Sequence, residues 1–236
     1  MNTYMKSGGI AALLHGAAYI VALVIGVTFV FPVLTAGDPG QYAAFVAQNQ
    51  GLVYIWNLIA YWGSALTLIV MALALHQRLQ AGSPAAQGLL VQTATVLGLI
   101  WAGLIIASAN LMLRDSGVIA GLYAQDPAGA AALWRVLEAV ELGIVSGNEL
   151  VGSLWVLLIS IAAMRSGAFR PAFNRFGIVI SLAGILTIIP GLATIAVSVF
   201  GPGMIVWSIW LGVALLAESR SAGRAVVKLA VDLGTD

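Results

Sequence analysis

Five polar residues follow one another along an apolar stretch of this sequence, and their types are those of acid–base and ion-binding chemistry. They are Arg135, Glu138, Glu141, Asn148 and Glu149. On a helix, at 100° per residue, the five side chains fall within an arc of about 140°. Glu149 lies about 10 Å below the point where this helix is predicted to enter the apolar layer. A charged carboxylate there would cost about 3 kcal/mol, so we expect Glu149 to be neutral, paired or facing a wet cavity.

The expected partners of Glu149 are polar residues at the same depth on this helix and on the neighbouring segments. They are Asn57, Tyr61, Ser108, Asn110, Arg114 and Asn148. Two interpretations are open. The group forms a pocket that binds a headgroup or a small amphiphile or passes protons, or it holds the helices together by hydrogen bonds worth about 0.6–2 kcal/mol. The second interpretation is favoured.

Arg135, Glu138 and Glu141 are predicted to form an ionic cluster at the outer surface, in which Arg135 and Glu138 pair at i, i+3. Two glutamates at i, i+3 are also of metal-ligand type. A di-iron bundle needs a Glu-x-x-His motif on two helices, and the sequence has none. No metal site is predicted.

The two histidines, His15 and His76, belong to the opposite half of the predicted bundle and form a candidate inner-half polar pair. They are of the type that ligates a haem axially. A lone membrane histidine satisfied by a backbone carbonyl is the favoured alternative, and no cofactor is predicted. The chain has no cysteine and no Ser/His, paired-Asp or HExxH constellation, so we do not expect an enzyme.

Composition predicts the class of protein. Of the 236 residues, 61% are hydrophobic and 8% are charged, whereas a soluble domain carries roughly a quarter charged residues. The net charge of +1 and the lack of a basic patch give no indication of nucleic-acid binding. We predict an all-α polytopic membrane protein, a single domain over 1–236 with six transmembrane helices in one bundle. The predicted spans are about 9–34, 51–76, 88–113, 142–164, 174–198 and 202–217.

The basic residues orient this bundle. With the N-terminus in the cytoplasm, eight of the ten Lys and Arg residues lie inside, and only Arg114 and Arg135 lie outside. Both termini are therefore predicted to be cytoplasmic. The tail, 218–236, carries basic residues at i, i+4 and i+8, which indicates either an amphipathic helix on the inner leaflet or a frayed solvated tail.

Two outer segments open with Asp-Pro, a helix-start signal. Asp38-Pro39 predicts a short capped helix. Asp126-Pro127 predicts a helix that runs unbroken to Met164, about 57 Å long, so its first third should lie outside the membrane. On that helix the small residues from Gly143 to Gly152 offer a face for another membrane chain. Pro190 predicts a kink in the fifth span, and the turn at Gly201-Pro202-Gly203 is predicted to end that span.

Several segments resemble one family. They are SGGIAALLHGAAYIVALVIG, the outer loop with Asp38 and AAFVAQNQGLVYIW, the turn RSGAFRPAFNRFGIVISLAGIL, and Trp210-Leu211-Gly212. Together they resemble the uncharacterised bacterial membrane proteins known as domain of unknown function 4386. The resemblance implies six helices and a multi-pass protein of the bacterial plasma membrane, and it implies no site residues. The helix around Glu138–Glu149 is more acidic than that pattern.

Short loops and the lack of catalytic machinery favour an accessory or structural subunit, a scaffold of a membrane assembly. The alternative is a small-solute, lipid or proton-coupled carrier or binding protein that uses the Glu149 region. An enzyme acting on a lipid ranks last. The expected partners are the lipid bilayer and other membrane protein chains.

Overall fold

The computed structural model describes residues 2–81, 85–189 and 191–233; for residues 2, 85, 86, 142, 145–148 and 222–233 it describes the backbone alone. Within these residues the protein is helical and contains no strand. The helices are α1 Asn2–Ile25, α2 Phe31–Leu34, α3 Pro39–Gln48, α4 Gln50–Asn57, α5 Ser64–Gln80, α6 Ala85–Tyr123, α7 Pro127–Arg165, α8 Pro171–Ile185 and α9 Ala193–Leu233. Wider π-helical turns, Gly26–Val30 and Leu58–Gly63, join α1 to α2 and α4 to α5.

Five helical segments are long and apolar enough to cross a membrane: Thr3–Leu34, Gln50–Gln80, Gln87–Tyr123, Pro171–Ile188 and Ala193–Ser221. Large apolar side chains such as Leu89, Ile195 and Val213 are exposed on the outside of the bundle, where lipid would cover them. The structure therefore agrees with a multi-pass α-helical membrane protein. A sixth span within α7 stays a prediction.

The predicted helix starts are confirmed. The Asp38 carboxylate accepts hydrogen bonds from the backbone amides of Gly40 and Gln41, at 2.8 and 3.4 Å, and begins α3. The Asp126 carboxylate accepts one from Gly129 at 2.9 Å and begins α7. α7 then runs unbroken to Arg165, as the sequence predicted.

The predicted boundary between the last two spans is wrong. The chain turns between Ile188 and Ala193 rather than at Gly201-Pro202-Gly203, and Pro202 lies inside α9. Ile189 is extended, with φ −92° and ψ 111°, the backbone that a residue before proline prefers. The predicted kink at Pro190 falls on a residue outside the described ones. The tail continues α9 as helix to Leu233, and its predicted amphipathic face lies among side chains that are not described.

Six long helices form a closed ring. α1, α5, α6, α7, α8 and α9 each pack against the next, and α9 packs against α1. α1 and α9 are antiparallel, since Gly8 lies against Leu215 and Gly16 against Ile209, so the start of α1 and the later part of α9 share one end of the bundle. At the other end, α3 covers α6 and α7. The ring is filled by aromatic side chains, with Trp155 fully buried between Trp101 and Trp207.

Candidate functional site

Two cavities occupy the half of the bundle that α3 covers. The larger, which we name the lateral cavity, has a volume of about 480 Å³ and is lined by residues of α1, α4, α6, α7 and α9. Its wall includes Tyr19, Trp56, Tyr61, Glu149, Phe200 and Met204. Leu23 of α1 and Ser198 of α9 also line it and are exposed at the bundle surface. The cavity therefore opens sideways between α1 and α9, where the surrounding surface is apolar.

The wall of the lateral cavity is mostly apolar, and Glu149 carries its one carboxyl group among the described lining residues. Glu149 is half-buried, and its side chain accepts no hydrogen bond from a described residue. The cavity includes no described Lys or Arg that could neutralise it. The carboxyl group therefore faces the cavity and is available to a ligand's hydrogen-bond donor or positive charge.

Aromatic residues separate this cavity from the smaller one. Phe31, Trp56 and Tyr61 line both. The Trp56 ring is fixed by a 2.9 Å hydrogen bond from its indole N–H to the Ala22 carbonyl and packs edge-on against Tyr61 and Phe31. Tyr61 lies in the second π-helical turn, and Phe31 directly follows the first. Such turns are frequent at functional sites because they reorient side chains within a helix.

The smaller cavity, which we name the carboxyl cavity, has a volume of about 170 Å³ and lies between α3, α6 and α7. Asp115 of α6 and Glu141 of α7 both line it, and their carboxyl groups are within hydrogen-bonding range of each other. Each side chain is only 7% exposed. Tyr42 of α3 stacks on Trp134 of α7, with ring centroids 4.0 Å apart, and helps to cover the pair.

The electrostatics of this pair follow from burial. Glu141 precedes the predicted membrane-spanning part of α7, residues 142–164. Burial raises the pKa of the Glu141 carboxyl to about 8, and the charges of Asp115 and Glu138 add to the increase. Burial also raises the pKa of Tyr42 on α3, with further contributions from Glu141, Glu138 and Asp115. Near neutral pH the pair therefore holds a proton unless another positive charge takes its place.

The structure corrects the predicted outer-surface cluster. Arg135 is exposed and forms no ion pair with Glu138, although both residues are described. Glu141 is buried beside Asp115 instead of joining them, because α3 and α6 pack over its face of α7. The described residues contain one ion pair, at the opposite end of the bundle, between Arg78 and Glu218 at 2.7 Å.

Sequence reasoning missed Asp115. The third span was predicted to end at 113, which placed Asp115 in a loop, whereas α6 continues to Tyr123. A signal was present: Trp101, Ile105, Ser108, Asp115 and Ile119 follow a helical spacing of three, four or seven residues, and all are buried. Asp115 continues the buried face of α6.

The predicted partners of Glu149 separate into three groups. Tyr61 lines the same cavity as Glu149. Asn57 is buried, its amide group has no hydrogen-bond partner among the described residues, and it is not part of the lining of either cavity. Asn110 and Arg114 are exposed on the outer face of α6, so the prediction that they join Glu149 is wrong. Ser108 is buried and bonds the Leu104 carbonyl of its own helix; the Asn148 side chain is outside the described ones.

The two histidines do not form a pair. His15 is fully buried, and its Nδ1 lies 3.1 Å from the Ser64 carbonyl and 3.0 Å from the Thr67 hydroxyl. His76 lies nine residues beyond Thr67 on α5, about 13 Å, and its Nδ1 bonds the Thr95 hydroxyl at 2.9 Å. The predicted inner-half pair is therefore wrong, because the two side chains lie at different levels of the bundle. Among the described residues no group of three or more His, Asp or Glu could hold a metal.

The glycine face of α7 is partly used within the chain. A Cβ atom at Gly152 would overlap the ring of Trp101, so this glycine allows α6 and α7 to approach closely. A Cβ at Gly143 would meet no described atom within 4 Å. The Gly152 end of this face is therefore occupied by α6. Contact between another membrane chain and the Gly143 end of the face stays a prediction.

Comparison of the chain with known protein families, with curated proteins and with solved structures finds no match. The resemblance to domain of unknown function 4386 accordingly stays a prediction.

Proposed function

We propose that this protein binds an amphiphile taken from the membrane, with the molecule's apolar chain in the lateral cavity and its polar group at Glu149. The observation that carries the proposal is the lateral cavity itself, about 480 Å³, mostly apolar and open between α1 and α9 with a carboxyl group inside. This volume and lining are typical of small-molecule sites, which combine an apolar wall with a few polar groups.

The position of the opening supports a ligand that comes from lipid. Leu23 and Ser198 lie within the candidate spans Thr3–Leu34 and Ala193–Ser221. A molecule that entered there would pass through the apolar layer. Lipids and lipophilic amines or alcohols do so readily, whereas sugars and amino acids pay the cost of removing their polar groups from water.

Glu149 supports a ligand with a hydrogen-bond donor or a positive charge. Interhelical hydrogen bonding would place a partner next to this carboxyl, and no described side chain donates to it. An ammonium or hydroxyl group on the ligand would supply the donor. We therefore propose a binding or carrier role in the plasma membrane in preference to the accessory-subunit role. The accessory-subunit role stays a prediction, because lipid and a partner chain would cover the exposed apolar helix faces equally well.

Quenching of tryptophan fluorescence by a brominated ligand tests the proposal, because Trp56 and Trp101 line the cavity. The protein in nanodiscs of neutral lipid is titrated with a long-chain alkylamine brominated in its chain, and with the matching alcohol. We expect saturable quenching, stronger for the amine. Glu149→Gln should abolish the preference for the amine while leaving the alcohol unaffected.

A steric pair of variants provides the control. Ala60 lines the lateral cavity, whereas Ala17 is exposed elsewhere on α1. Ala60→Phe should fill part of the cavity and remove saturable quenching, and Ala17→Phe should not. Equal quenching in both variants and in the unchanged protein would show that the ligand binds outside the cavity.

A further inference from the structure

We propose that the carboxyl cavity between α3, α6 and α7 is a second binding site, which takes a small organic ammonium cation. It is distinct from the lateral cavity, since Asp115 and Glu141 do not line that cavity and Glu149 does not line this one. Phe31, Trp56 and Tyr61 line both cavities, but Asp115 lines this one alone, so a substitution at Asp115 tests this inference separately from the proposed amphiphile site.

Charge is the first argument. Two carboxyl groups are buried within hydrogen-bonding range of each other, and Oδ2 of Asp115, a side chain more than nine-tenths buried, has no hydrogen-bond partner among the described residues. No described Lys or Arg lines the cavity. Two adjacent carboxylates cannot both remain ionised in an apolar site without a positive charge between them. The site accordingly requires either a proton or a cation.

The lining is the second argument. Five aromatic side chains line the cavity together with the two carboxyl groups: Phe31, Tyr42, Trp56, Tyr61 and Trp134. Aromatic rings attract a cation through their negative faces, and aromatic cages next to acidic groups are the usual means of binding alkylammonium ions. A metal ion would instead require about six oxygen ligands, and this lining offers two carboxyl groups and few other oxygens.

Size and position are the third argument. The cavity measures about 170 Å³, and a cavity of about 150 Å³ holds a benzene molecule. A compact cation such as tetramethylammonium is of this order, whereas a lipid is much larger. The cavity lies under α3, at the end of the bundle opposite the start of α1. The sequence predicts that end to face the outer medium, so a water-soluble cation would reach the site without crossing the membrane.

Titration with tetramethylammonium chloride tests the inference, with sodium chloride at equal ionic strength as the reference. Trp134 lines this cavity and not the lateral cavity, whereas Trp56 lines both, so fluorescence reports binding and the melting temperature provides a second readout. We expect a saturable response at pH 9 that weakens at least tenfold at pH 5.5, because protons compete for Glu141 and Asp115. Tyr42 and Tyr61 are the other titratable groups that line the cavity, and Glu138, outside the lining, acts on Glu141 through its charge alone.

Three variants separate the cation site from a general charge effect. Asp115→Asn should weaken binding at least tenfold. Glu138→Gln makes the equivalent change one turn before Glu141, outside the cavity lining, and should change binding less than twofold. Trp134→Phe keeps an aromatic ring at this position and should weaken binding severalfold. Its binding is followed by the melting temperature, because the substitution removes a fluorescent reporter, and it provides a test if Asp115→Asn does not fold.

The inference is overturned by any of three results: no saturable response to tetramethylammonium at pH 9, equal responses in the unchanged protein and in Asp115→Asn or Trp134→Phe, or a larger response to calcium or magnesium. The first would mean that the pair shares a proton only.

Discussion

The carboxyl groups of Asp115 on α6 and Glu141 on α7 face each other beneath α3, in a cavity that aromatic side chains otherwise line. The two residues are 26 positions apart and lie on antiparallel neighbouring helices. Their proximity depends on the tight turn between Tyr123 and Pro127, which aligns the last turns of α6 with the first turns of α7. Proton uptake and cation binding at this end of the bundle both depend on this pair.

The first prediction concerns stability against pH. The pKa of Glu141 is about 8 in the folded protein against an ordinary value of 4.5, so the unfolded chain loses this proton at lower pH than the folded protein. The free energy of unfolding therefore decreases as pH rises from 4.5 through 8, by at most about 1.4 kcal/mol per pH unit. We expect a lower melting temperature at pH 9 than at pH 5.5, measured in detergent without added cations.

Glu141→Gln should flatten this dependence, because a glutamine does not ionise, whereas Glu138→Gln should leave it in place. Superimposable profiles for the unchanged protein and Glu141→Gln would show that another group controls the dependence.

The second prediction distinguishes a ligand site at Glu149 from interhelical hydrogen bonding. If Glu149 held helices together, Glu149→Leu would leave its partners unsatisfied and destabilise the protein by about 1–2 kcal/mol. No described side chain donates to Glu149, so we expect a change below about 1 kcal/mol. Reversible unfolding in mixed detergent micelles measures it. A loss of about 1 kcal/mol or more would assign Glu149 a structural role.

The third prediction concerns the contact between α1 and α9. A Cβ at Gly212 would lie 2.9 Å from the Gly9 carbonyl oxygen and 2.7 Å from Leu13 Cγ. Because the Gly9 backbone cannot move aside cheaply, Gly212→Ala should destabilise the protein by about 1–3 kcal/mol. Gly103→Ala is the control, since no described atom lies within 4 Å of its Cβ position, and it should stabilise by about 0.4–1 kcal/mol. Equal effects of the two substitutions would contradict the close approach of the helices.

The fourth prediction concerns orientation. The chain has no cysteine, so single cysteines report accessibility without background. Cysteines at Gly40 and Gly121, near the end of the bundle that α3 covers, should react with impermeant maleimide in intact cells. Cysteines at Ser166 and Ser221, near the opposite end, should react only after permeabilisation. The reverse pattern would invert the bundle and place the carboxyl cavity on the inner side.

The sequence by itself determined the class of this protein and the positions of most helices. A chain with 61% hydrophobic residues requires lipid around its helices, and the Asp-Pro pairs at 38 and 126 begin helices because their carboxylates bond free backbone amides. These features depend on composition and on residues within one turn of each other. The length of α7 was predicted from equally local features, the helix start at Asp126-Pro127 and the unbroken run to Met164.

Only the tertiary structure decided which polar residues meet. Asp115 and Glu141 come together, Asn110 and Arg114 face outward, and His15 bonds Ser64 and Thr67 rather than approaching His76. Each outcome depends on the rotation and the vertical offset of a helix against its neighbours. Nearly every face of these helices is apolar, so hydrophobic pattern distinguishes inward from outward faces poorly in a membrane protein. Packing of small residues such as Gly152 and Gly212 sets those rotations, and their contacts are visible only in three dimensions.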